Sequence, residues 1–236
     1  MSATQREESP LTTPVVVDFP LRGEWVTPNT PGKKVPSHGT DMLGQRYAYD
    51  FVRTGPGTGG MRFYRPSPLR YLLFGVRLQD CFGWGQPIFS PMAGTVVQAK
   101  DGWPERNPVH LARDLAIALK HAFTFDVNRA EDFRPLAGNH IIIEASDGYA
   151  LIAHAQTGSI RVSPGDKVAP GQPLANVGHS GNSTAPHLHF HLMDHLDPRS
   201  AKGIPCCFRE YEVLQEGTWH LVHNGIPKHT DRIRSL

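Results

Sequence analysis

The chain has 236 residues with 24 basic and 22 acidic side chains, a formal net charge of +2, and only 19% of its residues are charged. That balance leaves no basic stripe of the kind that phosphate-backbone binding needs, so nucleic acid is not an expected partner. Its 23 glycines and 21 prolines punctuate short runs rich in Val, Ile and Tyr, which points to a mainly β protein with many turns, long enough to bury a core without staples.

The opening residues, MSATQREESPLTTP, are polar and lack the basic and apolar regions of a signal peptide, so the chain as written is expected to be cytoplasmic. No run approaches ~18 apolar residues, and no membrane span is expected. From Tyr47 the alternation YAYDFV predicts a strand with Tyr47, Tyr49 and Phe51 on one face and Ala48, Asp50 and Val52 on the other. An aspartate turned away from three aromatic rings belongs to a solvated surface or to a site. The following RTGPGTGGMRFYRPSPLRYLLFG reads as an irregular insertion, and GQPIFSPMAGTVVQAK as strand, turn and strand. Residues 107–122, NPVHLARDLAIALKHA, place Val109, Ala112, Leu115, Ala116 and Leu119 at helical spacing and predict a helix. Strand patterns then dominate. NHIIIEA, YALIAHA, SIRVSPGDKVAPGQPLANVG and HLHFHLM are separated by Asp147-Gly148, Pro164-Gly165, Pro170-Gly171 and Ser180-Gly181. Further strands are expected around EYEVL and TWHLVH, and the cysteines, Cys81 and the adjacent Cys206 and Cys207, encode no disulfide framework.

In HLHFHLM the histidines His187, His189 and His191 alternate with Leu188, Phe190 and Leu192. Successive side chains of a strand point to opposite faces, so every imidazole falls on one face and every large apolar group on the other. With Asp50, His154 and, upstream, His38, these residues could carry chemistry. A hydrolytic zinc site takes three protein ligands, commonly histidines with a carboxylate, and keeps one position for water. A lone strand histidine such as His154 is more often structural, and an HxH pair also arises by chance. The long ordered pattern GxSGxSTxPHLHFxL changes that balance.

Residues 139–192, NHIIIEASDGYALIAHAQTGSIRVSPGDKVAPGQPLANVGHSGNSTAPHLHFHL, resemble the core of the M23 zinc metallopeptidases, the lysostaphin-like or LytM-like peptidoglycan endopeptidases. SPMAGTVV and YAYDF fit the strands that precede that core. The resemblance implies an antiparallel β-sheet core of the lysostaphin-like, duplicated-hybrid-motif type with one helical insertion. It implies a zinc endopeptidase acting on a peptide or peptidoglycan substrate, with His38, Asp50 and His189 as metal ligands and His154 and His187 as catalytic residues. It divides the chain into an N-terminal extension (1–33), a peptidase domain (34–195) with insertions at 53–84 and 101–138, and a C-terminal extension (196–236) packed on the same domain.

The sequence departs from the family pattern in places. Where the family has its first metal histidine, four residues before the aspartate, this chain has Arg46, which leaves His38, on a longer loop, as the nearest upstream imidazole. Asp41 competes with Asp50 for the carboxylate role, and Asp50 is preferred because its strand faces it away from apolar neighbours. His191 stands where the family commonly has Glu and reads as a surface or outer residue, not a fourth ligand. One alternative is a degenerate domain that has lost catalysis and acts as a binding or regulatory module. Another, a biotinyl or lipoyl carrier, lacks the lysine that such a hairpin would present. A cell-wall substrate lies outside the cytoplasm and would require export or release. Oligomeric state is not legible.

Overall fold

The computed structural model describes residues 13–55 and 61–235; residues 1–12 of the expected N-terminal extension and 56–60 of the first insertion lie outside it. Short β1 (Val15–Val17) leads into β2 (Gly23–Asn29) and β3 (Tyr49–Val52). After the first insertion come β4 (Pro87–Phe89) and β5 (Gly94–Lys100), and after the second β6 (Asn139–Ala145), β7 (Gly148–Ala155), β8 (Lys167–Val168) and β9 (Pro173–Asn176). The histidine strand is β10 (His187–Met193), followed by β11 (Gly203–Ile204), β12 (Cys206–Gln215), β13 (Thr218–Gly225) and β14 (Arg232–Ser235).

Twelve strands form one sheet in the order β1-β12-β14-β2-β3-β10-β7-β6-β5-β8, with β11 added on β10 and β13 on β12. Every pair is antiparallel except β1 with β12. The fold is mainly β, as composition and turn chemistry indicated. β10 lies between β3 and β7, with His189 opposite Asp50 on one side and Ala153 on the other.

Period two sets the two faces of this central region. Leu188, Phe190 and Leu192 of β10, Tyr49 and Phe51 of β3, and Ile152 of β7 are buried in the main core. Phe208 of β12 packs its ring 5.0 Å from Tyr49, 5.7 Å from Phe51 and 6.1 Å from Phe190. The strands that carry the polar face therefore rest on an aromatic layer supplied partly by β12. The buried Tyr49 hydroxyl donates to the Cys206 carbonyl at 2.6 Å. Tyr49→Phe is expected to destabilise the protein by about 1–2 kcal/mol, because a buried carbonyl loses its donor. Urea unfolding of the two proteins checks it.

Three expectations change. Tyr47 ends a 3-10 segment (Met42–Tyr47) and is not in the strand, which begins at Tyr49. The first insertion contains a helix, α1 (Pro68–Phe74), so the helices are not confined to one insertion. Ser67 caps it by accepting from the Arg70 amide, and Pro68 opens it with a preset φ. The helix expected over 107–122 is α2 (Leu111–Thr124), followed by the single turn α3 (Arg134–Ala137). Its apolar stripe does not face the core: Leu115 and Leu119 are 49% and 52% exposed, whereas Asp114 is buried. The two insertions pack on each other through Tyr64, Val76, Leu78, Cys81 and Val109. Among the described residues no helix is long and apolar enough to cross a membrane.

Candidate metal centre

The buried carboxylate of Asp50 is the hub. Its Oδ2 lies 2.9 Å from His38 Nε2 and its Oδ1 lies 2.9 Å from His189 Nδ1. One ligand atom from each of these three residues fits within a 4.8 Å cluster, a carboxylate and two imidazoles positioned to hold a metal ion. β3 and β10 position two of the groups by direct register, and the loop after β2 brings in the third. Asn29, at the end of β2, donates to Asp50 Oδ2 at 2.7 Å, and the Ser37 hydroxyl lies 3.1 Å from His38 Nδ1. Sequence reading missed both; Asn29 gave no motif, and its register with Asp50 across β2 and β3 is visible only once the sheet is assembled.

His154 and His187 stand beside the cluster. Their ring centroids are 4.6 Å apart, and His187 Nε2 is 3.6 Å from Asp50 Oδ1. His154 Nδ1 donates to the Ser180 carbonyl at 2.9 Å and His187 Nδ1 to the Ala185 carbonyl at 2.7 Å. A carbonyl oxygen only accepts, so when neutral each ring carries its hydrogen on Nδ1 and keeps a lone pair on Nε2. His154 also has φ +61°, a left-handed conformation rare for a non-glycine residue, at the end of β7. The loop that leads into β10 passes so close to Gly138 that a Cβ on Gly181 would lie 2.2 Å from the Gly138 nitrogen. Gly181 is needed there for close approach as well as for its φ of +66°.

The charges respond to this crowding. Burial alone would raise the Asp50 carboxyl, but the imidazoles of His38 and His187 and hydrogen bonds from His189 and His38 hold it well below the ordinary carboxylate range. Burial alone would lower His38, yet the charge and hydrogen bond of Asp50 leave it raised. Burial pushes His154 well below the ordinary histidine value, with His187 and His189 adding to the shift. Burial lowers His189 as well, against the pull of Asp50.

Arg46 turns to Asp41, pairing at 2.6 Å on the exposed side of the 3-10 segment, so neither residue joins the cluster. Arg46→Ala and Asp41→Ala proteins are expected to hold metal as the parent does, which elemental analysis of the purified variants checks. His191 is not a surface residue: it is 2% exposed, with Nδ1 3.0 Å from His189 Nε2. Gly44 of the 3-10 segment covers His191, a long-range contact that the alternation of β10 could not reveal. A groove of about 470 Å³ runs over the cluster, lined by Phe63 from the first insertion, Phe133 and Leu136 from the second, and Ile142 and Leu151 from the sheet.

The profile of Peptidase family M23 matches residues 79–200, a span that includes His154, His187 and His189 and begins after His38 and Asp50. The Peptidoglycan DD-endopeptidase ShyA of Vibrio cholerae is 36% identical over 59 residues, 25% of this chain and 14% of that protein. Among solved structures, the catalytic domain of lysostaphin from Staphylococcus simulans is 19% identical, covers 77% of this chain and 88% of its own, and has a TM-score of 0.37. A putative peptidase M23 from Pseudomonas aeruginosa is 17% identical, covers 80% of this chain and 49% of its own, and has a TM-score of 0.38. Scores of this size are low, and the fold described above stands on its own strand pairing.

Proposed function

The chain belongs to peptidase family M23, and from that membership we propose that it is a zinc-dependent endopeptidase that hydrolyses peptide bonds in peptidoglycan stem peptides or cross-bridges. The observation that carries the reading is the Asp50 carboxylate clasped by His38 and His189, with two further imidazoles beside it. The substrate class is supported by the identity with a protein named a peptidoglycan DD-endopeptidase, of which the match covers 14%.

The donor set fits zinc: two imidazoles and one carboxylate, three ligands that would leave the fourth tetrahedral position to water. His38 would ligate through Nε2 and His189 through Nδ1, and the Nε2 hydrogen of His189 would then donate to His191 Nδ1, 3.0 Å away, an outer partner that fixes the ring. Zinc bound there would polarise a peptide carbonyl and lower the pKa of a water towards ~7. His154 and His187, tied at Nδ1 to backbone carbonyls, offer Nε2 as proton acceptors for that water. Once protonated, each becomes a donor to the oxyanion that develops at the scissile carbon. The groove over these groups is lined in part by apolar side chains, which lower the local dielectric and strengthen the electrostatics there.

A degenerate domain that no longer held metal would have to lose a ligand, and Arg46 is where that reading starts. His38 supplies an imidazole in its place. The test pairs metal content with turnover. Purified protein is expected to carry one zinc per chain and to release new amino groups from purified peptidoglycan. Zinc-loaded protein that releases none across several wall types would leave the non-catalytic reading standing.

A further inference from the structure

His187 has a second set of partners. Asp114, the buried residue of α2, accepts from Arg106 Nε at 2.9 Å and Arg113 Nε at 3.0 Å through Oδ1, and from the His110 amide at 2.9 Å through Oδ2. The same Oδ2 lies 3.2 Å from Nε2 of His179, which is fully buried. His179 Nδ1 lies 3.0 Å from Ser183 Oγ, and Ser183 Oγ lies 3.1 Å from His187 Nδ1. Arg106 also clamps the loop itself, donating at 2.6 Å to the carbonyls of both Gly181 and Ser183. A residue of the second insertion is thus joined to His187 by an unbroken run of hydrogen bonds.

Counting hydrogens gives the run a direction. Asp114, held well below the carboxylate range by its hydrogen bonds from His179, Arg113, His110 and Arg106 against the effect of burial, only accepts. Burial keeps His179 below the ordinary histidine value, so it has one ring hydrogen, and the carboxylate takes it at Nε2. His179 Nδ1 is then an acceptor whose donor is the Ser183 hydroxyl. That hydroxyl has a single hydrogen and a rival acceptor, the Ala185 carbonyl at 2.6 Å, which also receives His187 Nδ1. When the hydrogen goes to His179, both Ser183 Oγ and the Ala185 carbonyl are left to accept from His187.

We propose that Asp114, acting through His179 and Ser183, is a positioning device that holds His187 in the Nδ1–H form with its Nε2 lone pair directed at the metal cluster. Without it the Ser183 hydroxyl turns to the Ala185 carbonyl, competes there with His187, and loosens both the ring and its tautomer. The role rests on the reading of His187 as a proton-transfer residue, and it makes α2 part of the site's support.

The test replaces His179 and leaves the metal cluster untouched. His179→Phe keeps the ring shape but neither hydrogen bond, and Asp114 Oδ2 retains the His110 amide. His179→Gln can donate to Asp114 and accept from Ser183. The Phe protein is expected to bind zinc as the parent does, to lose kcat by about tenfold or more on a peptide the parent cleaves, and to keep KM. Gln is expected to restore most of the loss. Long-range ¹H–¹⁵N spectra of the imidazoles are expected to report His187 as Nδ1–H in the parent and as mixed tautomers in the Phe protein. If His179→Phe does not fold, Ser183→Ala, which removes one oxygen, is expected to give the same losses. A parent-like kcat and an unchanged His187 spectrum would overturn the proposal, as would Phe and Gln proteins equally impaired. Should the parent cleave no peptide, the proposed function falls and the spectra alone decide this inference.

Discussion

His154→Ala and His187→Ala proteins are expected to keep their zinc and lose turnover by about 10²-fold or more, the size typical of removing a positioned proton-transfer group or oxyanion donor. His38→Ala, Asp50→Ala and His189→Ala are expected to lose zinc and turnover together. The separation follows from the hydrogen bonds. The first pair is tied at Nδ1 to the carbonyls of Ser180 and Ala185, whereas the second set meets at the Asp50 carboxylate. Zinc content and kcat measured on the same preparations check both halves. A His154→Ala protein with parent-like kcat would return that residue to a structural role, and stoichiometric zinc in His38→Ala would remove the first ligand.

The metal-free protein is expected to lose stability as the pH falls below about 6.5, before its carboxylates begin to titrate near ~4. His140, His154, His179, His189 and His191 are all lowered by burial, so below their unfolded value the unfolded chain binds protons that the folded chain refuses. His38 works the other way: raised by Asp50 against burial, it adds stability below its unfolded value that is lost as pH rises. Five groups against one set the net sign. Each histidine contributes a slope of up to about 1.4 kcal/mol per pH unit, so two or three acting together remove about 3 to 4 kcal/mol over one unit. Urea unfolding of chelator-treated protein at pH 7.5, 6.5 and 5.5 measures it; a flat response would show that these rings titrate normally. Zinc is expected to raise Tm most at the highest of these pH values, since protons compete for the same nitrogens.

Much of the candidate site was legible because its main device is local. Alternation in β10 and β3 sorts His187, His189 and Asp50 from Leu188, Phe190 and Phe51 without knowledge of the fold. The supporting residues were not legible, because their partners are remote in sequence. His179 meets Asp114 across 65 positions, and Arg106 reaches Ser183 across 77. Depth was also hidden: period two put His191 on the correct face, and only the covering segment at Gly44 decides that it is buried. α2 was found by its spacing, but spacing alone did not say which side is buried: an acid with two arginines lies inside while Leu115 and Leu119 are left in solvent. α1 carried a readable start in Ser67-Pro68, masked by the glycines and prolines around it.

The strand order has a consequence for how the molecule comes together. Asp50 and His189 are 139 positions apart, and Tyr49 and Cys206 are 157 apart. β2 finds one neighbour in β14, and β3 finds one in β10. During synthesis, β2 and β3 can pair only with each other until those later strands emerge, and each keeps an open edge meanwhile. Contacts of such long range are slow to form, because the chain loses loop entropy before the sheet repays it. The candidate metal cluster is thus assembled late, and refolding from denaturant is expected to run on the slow side for a chain of this size, with any metal capture expected among the final events.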